Sequence, residues 1–447
     1  MKPYTCPESA IECYYLRNQW FGHCFKRHSR HLQELESSSF RLLRTRTIAH
    51  MAGASQPSKR SQKPDFAELS IALAGGLALT LTALFLCVAP LTGKIAGARD
   101  FVVYWATGQQ LAHHANPYET EAIGRIERGA GLNPGYGILY MRNPPWGLPI
   151  ALPLGYVGVR IGALLWSLTM LGCLLLSVRL FGELHGQPRS LLNWLGYSFS
   201  PALMCVIVGQ TSLLALLGLV LFLRLLPQRP FLAGMALWLC TLKPHLFLAF
   251  GLVLAVWIVF EKAYRVVVGF AVAMAVSFGL TWLIAPSAWS QYEQMIRISG
   301  IEKEFIPCIA VALRLWVNPQ SMLLQYLPAI AGCVWALAWY WWRRDRWDWK
   351  SDGGLLMLVS LVCAPYSWLF DQSLAIPALL YGAYNTRSRL LLAGLALGSV
   401  AIEASLMMGV KLPSPIFVWV PPGWLCWYLL AITIRKKAES DANTEET

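Results

Sequence analysis

Charge is scarce in this chain: Asp, Glu, Lys and Arg make up 14% of its 447 residues, against about 25% in a soluble globular domain. With 56% hydrophobic residues and a mean hydropathy of +0.47, the shortage excludes a soluble fold and marks an integral membrane protein. The alternating pattern of a membrane β-barrel is missing, which leaves helices as the spanning structure. No GxGxxG lies in a βαβ setting and no P-loop occurs, so the usual nucleotide-binding folds are excluded. The eleven cysteines lack pairing-type spacing. Cys87, Cys173, Cys205, Cys240, Cys333, Cys363 and Cys426 lie in apolar runs and read as small buried hydrophobes. Cys6, Cys13 and Cys24, with His23, His28 and His31, match no zinc-ligand pattern. No internal repeat relates the two halves, and the first hydrophobic run, near Leu69, starts too late and runs too long for a secretory signal.

What is present is a series of apolar runs. They predict an all-α, polytopic helical bundle of about twelve transmembrane helices (10–13). The runs lie near 69–90, 159–182, 190–208, 211–226, 230–242, 245–260, 264–285, 323–343, 353–369, 371–384, 388–408 and 415–434. Pro201, Pro244, Pro365 and Pro377 predict broken or re-entrant spans, tolerated only against protein or a wet cavity. Residues 1–66 read as a disordered, basic cytoplasmic tail, 67–435 as the transmembrane domain, and 436–447 as a second polar tail.

The net charge of +13 is not a nucleic-acid signature, because the basic residues gather in alternate short connections and at the ends. Arg179 with Arg189, Arg224 with Arg229, Lys262 with Arg265, Arg343 to Lys350, Arg387 with Arg389, and Arg435 to Lys437 follow the positive-inside rule. The expected protein is therefore a multi-pass protein of the cell (inner) membrane with both termini in the cytoplasm. The opposite side collects the loop at 91–158, the Gly209-Gln210-Thr211 turn, the Leu242-Lys243-Pro244-His245 turn, the loop at 286–322, and Pro365 to Asp371.

Asp100 stands just after a membrane exit. Phe101, Tyr104, Trp105, Gly108, Leu111 and Ala112 follow it at helical spacing, predicting an amphipathic helix in the interface. Two readings of Asp100 stay open: a helix cap, or a general base that takes a proton from an acceptor hydroxyl. The Asn116-Pro117-Tyr118 and Tyr140-Met141-Arg142-Asn143-Pro144-Pro145-Trp146 stretches offer aromatic faces for sugar rings and amides for hydroxyls. A structured loop with an aromatic anchor fits them equally. Lys243 either snorkels to the interface or meets a phosphate leaving group, a role that Arg99, Arg142 and Arg314 can share. Gln210 reads as a sugar-hydroxyl ligand or a helix cap. Asp371, in Trp368-Leu369-Phe370-Asp371-Gln372, is a costly charge in apolar surroundings and a functional candidate, with Glu403 similar but weaker. Glu302 and Glu304 read as solvated.

The ordered set DFVVYW, NPY, RNPPWGLPIALPLG, GQTSLLAL, LKPHLFL and PYSWLFDQ resembles glycosyltransferase family 87, over roughly residues 95 to 375. That family consists of polytopic GT-C enzymes typified by polyprenyl-phosphate-mannose-dependent α-mannosyltransferases. The resemblance implies a membrane hexosyltransferase with an extracytoplasmic site and an inverting mechanism. It implies Asp100 as the catalytic Asp, Lys243, Gln210, Arg142 and Asp371 at the donor, and Tyr104, Trp105, Asn116, Tyr118 and Trp146 around the acceptor. Some relatives carry His where this chain has Phe370 or Asp371, so Asp371 has three readings: metal ligand, sugar ligand or partner of Lys243. The implied partners are a lipid-linked sugar donor, membrane lipid and a glycolipid or glycan acceptor. No cofactor is expected beyond the donor itself, and no resident metal site is assigned. The rival class is a transporter or flippase for a lipid-linked glycan or small solute, and a non-catalytic membrane scaffold is a third.

Overall fold

Long apolar segments in a membrane must satisfy their own backbone hydrogen bonds, and the computed structural model is accordingly helical, with no strand among the described residues. Those are residues 66–91, 100–133, 135, 137–300 and 304–445, with side chains described over 66–88 and as far as 434 at the C-terminal end. The chain divides into two units, Met1–Lys63 and Pro64–Thr447, and everything below concerns the second. The expected N-terminal tail as far as residue 65, with its cysteines and histidines, lies outside the described residues, as do Arg99 and Glu302.

The elements in order are α1 (Phe66–Leu91), α2 (Phe101–Ala112), α3 (Thr120–Gly129), and α4 (Leu148–Ala151) between 3-10 turns at Pro145–Gly147 and Leu152–Tyr156. Then come α5 (Val159–Leu184), α6 (Asn193–Tyr197), α7 (Ser200–Val208), α8 (Ser212–Leu225), α9 (Pro230–Cys240), α10 (Leu248–Phe260) and α11 (Tyr264–Ile284). The remainder are α12 (Ala288–Ser299), α13 (Ile309–Val317), α14 (Met322–Arg343), α15 (Trp349–Val362), α16 (Ile376–Asn385), α17 (Arg389–Met407) and α18 (Val420–Glu445). The polar tail expected from 436 thus begins inside α18.

Each expected apolar run is mostly helical. Among the described residues, six stretches are long and apolar enough to cross a membrane: Phe66–Val88, Val159–Leu184, Tyr264–Ile284, Met322–Arg346, Arg389–Met407 and Pro415–Ile434. The others are short. Helices α8, α9, α10, α15 and α16 have 14, 11, 13, 14 and 10 residues, about 15–21 Å at 1.5 Å per residue. Burial differs among them. Most of α8 and α16 is buried, whereas α11 exposes Val268, Val272, Val276, Leu280 and Leu283, and the short α9 and α10 expose Phe231, Leu232, Val259 and Phe260. Helices α8 and α16, apolar nearly all round, lie in the core, and α11 shows an exposed apolar face.

The breaks come where proline puts them. Pro201 stands in the first turn of α7, Pro377 in that of α16, and Pro244 opens a 3-10 turn at Pro244–Phe247. Each lacks the N–H that a helix interior needs. Around Pro365 the chain leaves helix between Val362 and Leu369.

Two expectations need correction. Helix α2 forms, but it is not an interfacial amphipathic helix: Phe101, Val102, Val103, Tyr104, Ala106, Thr107, Gly108, Gln110 and Leu111 are all buried. A Cβ on Gly155 would lie 2.0 Å from the Gly108 oxygen, so α2 rests directly on the backbone of the Leu152–Tyr156 turn. Its apparent polar face is spent on backbone: Gln109 Nε2 donates to Gly155 O at 2.7 Å, and Gln110 Nε2 to Asn116 O at 3.2 Å. Helix α3 has the one-sided pattern instead, burying Ala122, Ile123, Gly124 and Glu127. The cysteines also divide. Cys173, Cys205 and Cys240 are buried, Cys333 and Cys363 partly so, but Cys87 and Cys426 are exposed on the apolar outer helices.

Candidate active site

Four consecutive residues, Gly209 to Ser212, join α7 to α8 and reach three separate parts of the chain. Gly209 ends α7 with φ +85°, a conformation that glycine adopts without strain. A Cβ there would come within 2.8 Å of Phe101 Cβ, so the start of α2 lies against this turn. The contact brings Asp100 to Gln210: Gln210 Nε2 donates to Asp100 Oδ2 at 2.7 Å, and Tyr104 Oη donates to Gln210 Oε1 at 3.2 Å. Tyr104 stacks on Trp166 at 5.0 Å, and Trp166 Nε1 donates to Gly209 O at 2.7 Å. Asp100 occupies the N-cap position of α2, but its side chain makes no capping hydrogen bond. The carboxylate is oriented by a residue from a distant turn.

Thr211 takes the second direction. Its Oγ1 accepts from Asn143 Nδ2 at 3.4 Å, and the same amide donates to Leu242 O at 3.1 Å. Asn143 is fixed through its carbonyl, which accepts from Tyr118 Oη at 3.0 Å.

Ser212 takes the third. Its Oγ donates to Asp371 Oδ1 at 2.6 Å, where Lys243 Nζ also donates at 2.7 Å. Asp371 Oδ2 accepts from Trp368 N at 2.9 Å, in a reciprocal capping arrangement at the start of the Leu369–Ala375 3-10 turn. Lys243 is 8% exposed and Asp371 0%, so this ion pair is removed from solvent. The ammonium also lies 4.7 Å from the centre of the Phe370 ring. Of the three readings of Asp371, the structure shows the partner of Lys243. The same pairing replaces snorkelling for Lys243.

The remaining candidates sit apart from these contacts. Trp105 Nε1 donates to Val157 O at 2.9 Å, and Asn116 Oδ1 accepts from Tyr118 N at 2.9 Å as a local turn. Trp146 is an anchor: its Nε1 donates to Thr241 Oγ1 at 3.0 Å, and its ring packs on Phe278 and Trp289. Arg142 pairs with Glu304 and donates to Ser299 O at 3.2 Å, which clasps the two polar loops together. Glu304 is therefore engaged rather than merely solvated. Glu403 accepts from Ser200 Oγ at 2.8 Å. Arg314 is buried, with Nη1 3.3 Å from Met322 Sδ.

Sequence reasoning missed three contributors. Asn143 and Ser212 were visible as members of polar motifs, yet nothing local marks them as the links between loops. Glu127 gave no signal, because it lies in a charged stretch, Arg125-Ile126-Glu127-Arg128, typical of a solvated helix. It is in fact fully buried. Its Oε2 accepts from Leu139 N at 3.1 Å, while Oε1 has no hydrogen-bond partner among the described residues. Burial pushes its carboxyl up to about 8; the Leu139 N–H and Arg128 oppose the shift, and the Asp100 charge adds to it.

A folded-state value above the ordinary one favours the fold most while the unfolded carboxyl is still protonated. Glu127's contribution is therefore full below about 4.5 and declines until it is gone above about 8. Glu127→Gln, which copies the neutral acid, is expected to flatten that decline. Unfolding of detergent-purified wild type and variant from pH 5 to 9 measures it. Parallel curves would show that Glu127 is ionised in the fold.

The family model of glycosyltransferase family 87 matches residues 140–370, just over half of the chain's 447 residues. The match contains Arg142, Asn143, Gln210, Ser212 and Lys243, starts after Asp100 and stops one residue before Asp371. No curated protein and no solved structure matches the chain.

Proposed function

Since this chain belongs to glycosyltransferase family 87, we propose that it transfers a hexose, mannose, from a polyprenyl-phosphate donor to a lipid or glycan acceptor. The reaction takes place on the extracytoplasmic side of the cell membrane, with both chain termini in the cytoplasm. The observation that carries the reading is the Gly209–Ser212 turn, which ties Asp100 on one side and the Lys243–Asp371 pair on the other into one hydrogen-bonded group.

In the proposed reaction the acceptor hydroxyl gives its proton to Asp100, and its oxygen forms a bond to the anomeric carbon. The bond from that carbon to the phosphate oxygen breaks, and the electron pair leaves with polyprenyl phosphate. Attack opposite the leaving group inverts the anomeric centre. The leaving group is already an anion, so it needs positive charge nearby more than a proton. Lys243 supplies it, with Asp371 holding the ammonium in place. Arg142 meets the phosphate by exchanging Glu304 for it, a carboxylate and a phosphate being alternative partners for the same guanidinium fork. Gln210, held by Tyr104, aims the Asp100 carboxylate, a positioning contribution of the kind that raises effective concentration.

Membranes containing the protein are expected to move labelled mannose from polyprenyl-phosphate-mannose into a lipid or glycan product, and not from a nucleotide sugar. Transfer from the nucleotide sugar alone would overturn the donor assignment. Flux of the labelled lipid across proteoliposomes with no glycoside formed would favour a transporter.

A further inference from the structure

His245 belongs to the Leu-Lys-Pro-His stretch, but neither the ion pair nor the Asp100 group uses it. The chain holds it rigidly. Lys243 has φ −137° and ψ 67°, Pro244 opens a 3-10 turn, and Leu246 and Phe247 after it are buried. The imidazole itself is half-buried. One face lies on Tyr366, with ring centres 3.8 Å apart and planes at 22°. Tyr366 in turn packs, with Phe305 and Trp368, on the small cluster of Ile306, Cys308, Ala310 and Val311. His245 therefore has a braced platform behind it and stands two residues from the ammonium that holds Asp371. Yet neither ring nitrogen has a hydrogen-bond partner among the described residues.

A ring stacked on one face makes its hydrogen bonds in plane, at its edge. A neutral imidazole offers one donor and one acceptor there. A phosphate oxygen is only an acceptor, and in the proposed site Lys243 and Arg142 already serve it. A sugar hydroxyl both gives and takes a hydrogen bond, which matches the edge that His245 presents. We propose that His245, held against Tyr366, binds a hydroxyl group of the sugar on the lipid-linked donor and so distinguishes the charged lipid from the spent one. The proposal rests on the transfer reaction above.

The test compares two ligands, polyprenyl-phosphate-mannose and bare polyprenyl phosphate, binding to detergent-purified full-length protein. His245→Phe keeps a ring on Tyr366 and removes both nitrogens; His245→Gln keeps a donor and an acceptor. One lost hydrogen bond predicts that His245→Phe weakens the mannose-bearing lipid by roughly 3–10-fold. Its affinity for bare polyprenyl phosphate stays within twofold, and His245→Gln regains part of the loss. A preference unchanged in His245→Phe, in a variant that melts like wild type, overturns the proposal. Equal weakening toward both lipids overturns it as well, by assigning His245 to the phosphate. Wild type that binds neither lipid refutes the transfer reading itself, and the proposal with it. Wild type that binds both alike refutes only the role of His245.

Discussion

Asp100→Asn is expected to lower the proposed mannose transfer by about 10²–10⁴-fold, the usual contribution of a positioned general base, with little change in donor affinity or thermal stability. The expectation follows from how the carboxylate is held. Its Oδ2 accepts from Gln210, whose own orientation is set by Tyr104. An asparagine oxygen can accept the same bond, so the surroundings keep their geometry and only the basicity is lost. No capping hydrogen bond from the side chain is sacrificed, because none is present. Initial rates in membranes, together with a melting curve and a donor-binding measurement, separate the effects. Transfer within tenfold of wild type would remove Asp100 from the role of base, whatever its place in the fold.

The second large effect concerns Lys243 and Asp371, and here stability and activity should part. Lys243→Met leaves Asp371 as a buried anion with only Ser212 Oγ and Trp368 N to compensate it. Removing one partner of a buried pair costs about 3–5 kcal/mol. The variant is expected to melt far below wild type and to be inactive for that reason alone. Adding Asp371→Asn removes the uncompensated charge while keeping an acceptor for Trp368 N, so the double variant should regain most of the stability. It should not regain transfer, because the proposed phosphate site has lost its lysine. A stable double variant with wild-type activity would make Lys243 a structural residue.

The helical bundle could be read from the sequence because long apolar runs and prolines act locally. Pro201, Pro244 and Pro377 mark helix starts whatever surrounds them, since each lacks an N–H. Span number was harder to read. The run 371–384, expected as one span, divides into a 3-10 turn and a helix of 10 residues, both mostly buried within the protein. Hydropathy reports apolar surroundings and does not separate lipid from protein core. Helix α2 misled in the same way, since Gln109 and Gln110 suggest a wet face until their backbone acceptors are known.

The site was legible as a set of motifs and not as a set of contacts. Gln210 and Asp100 are 110 residues apart, and no local rule pairs them. Lys243 at the end of a span is normally a snorkelling residue; only the position of Asp371 makes it part of a pair. Glu127 was hidden because helical spacing gives its charged neighbours a solvated look, while the Leu139 backbone that covers it comes from another part of the loop.

The separations in sequence also govern how the protein is made. Lys243 waits 128 residues for Asp371, and Ser212 waits 159. Chains emerge from the N-terminus at about 5–20 residues per second, so for several seconds at least the growing protein carries a lysine ammonium without its counter-ion. An unpaired charge is costly away from water, so the turn after α9 is expected to take its buried position only once Asp371, in the last fifth of the chain, has been made. A ribosome that stalls before residue 371 leaves behind a product with most of its helices and with Lys243 deprived of Asp371.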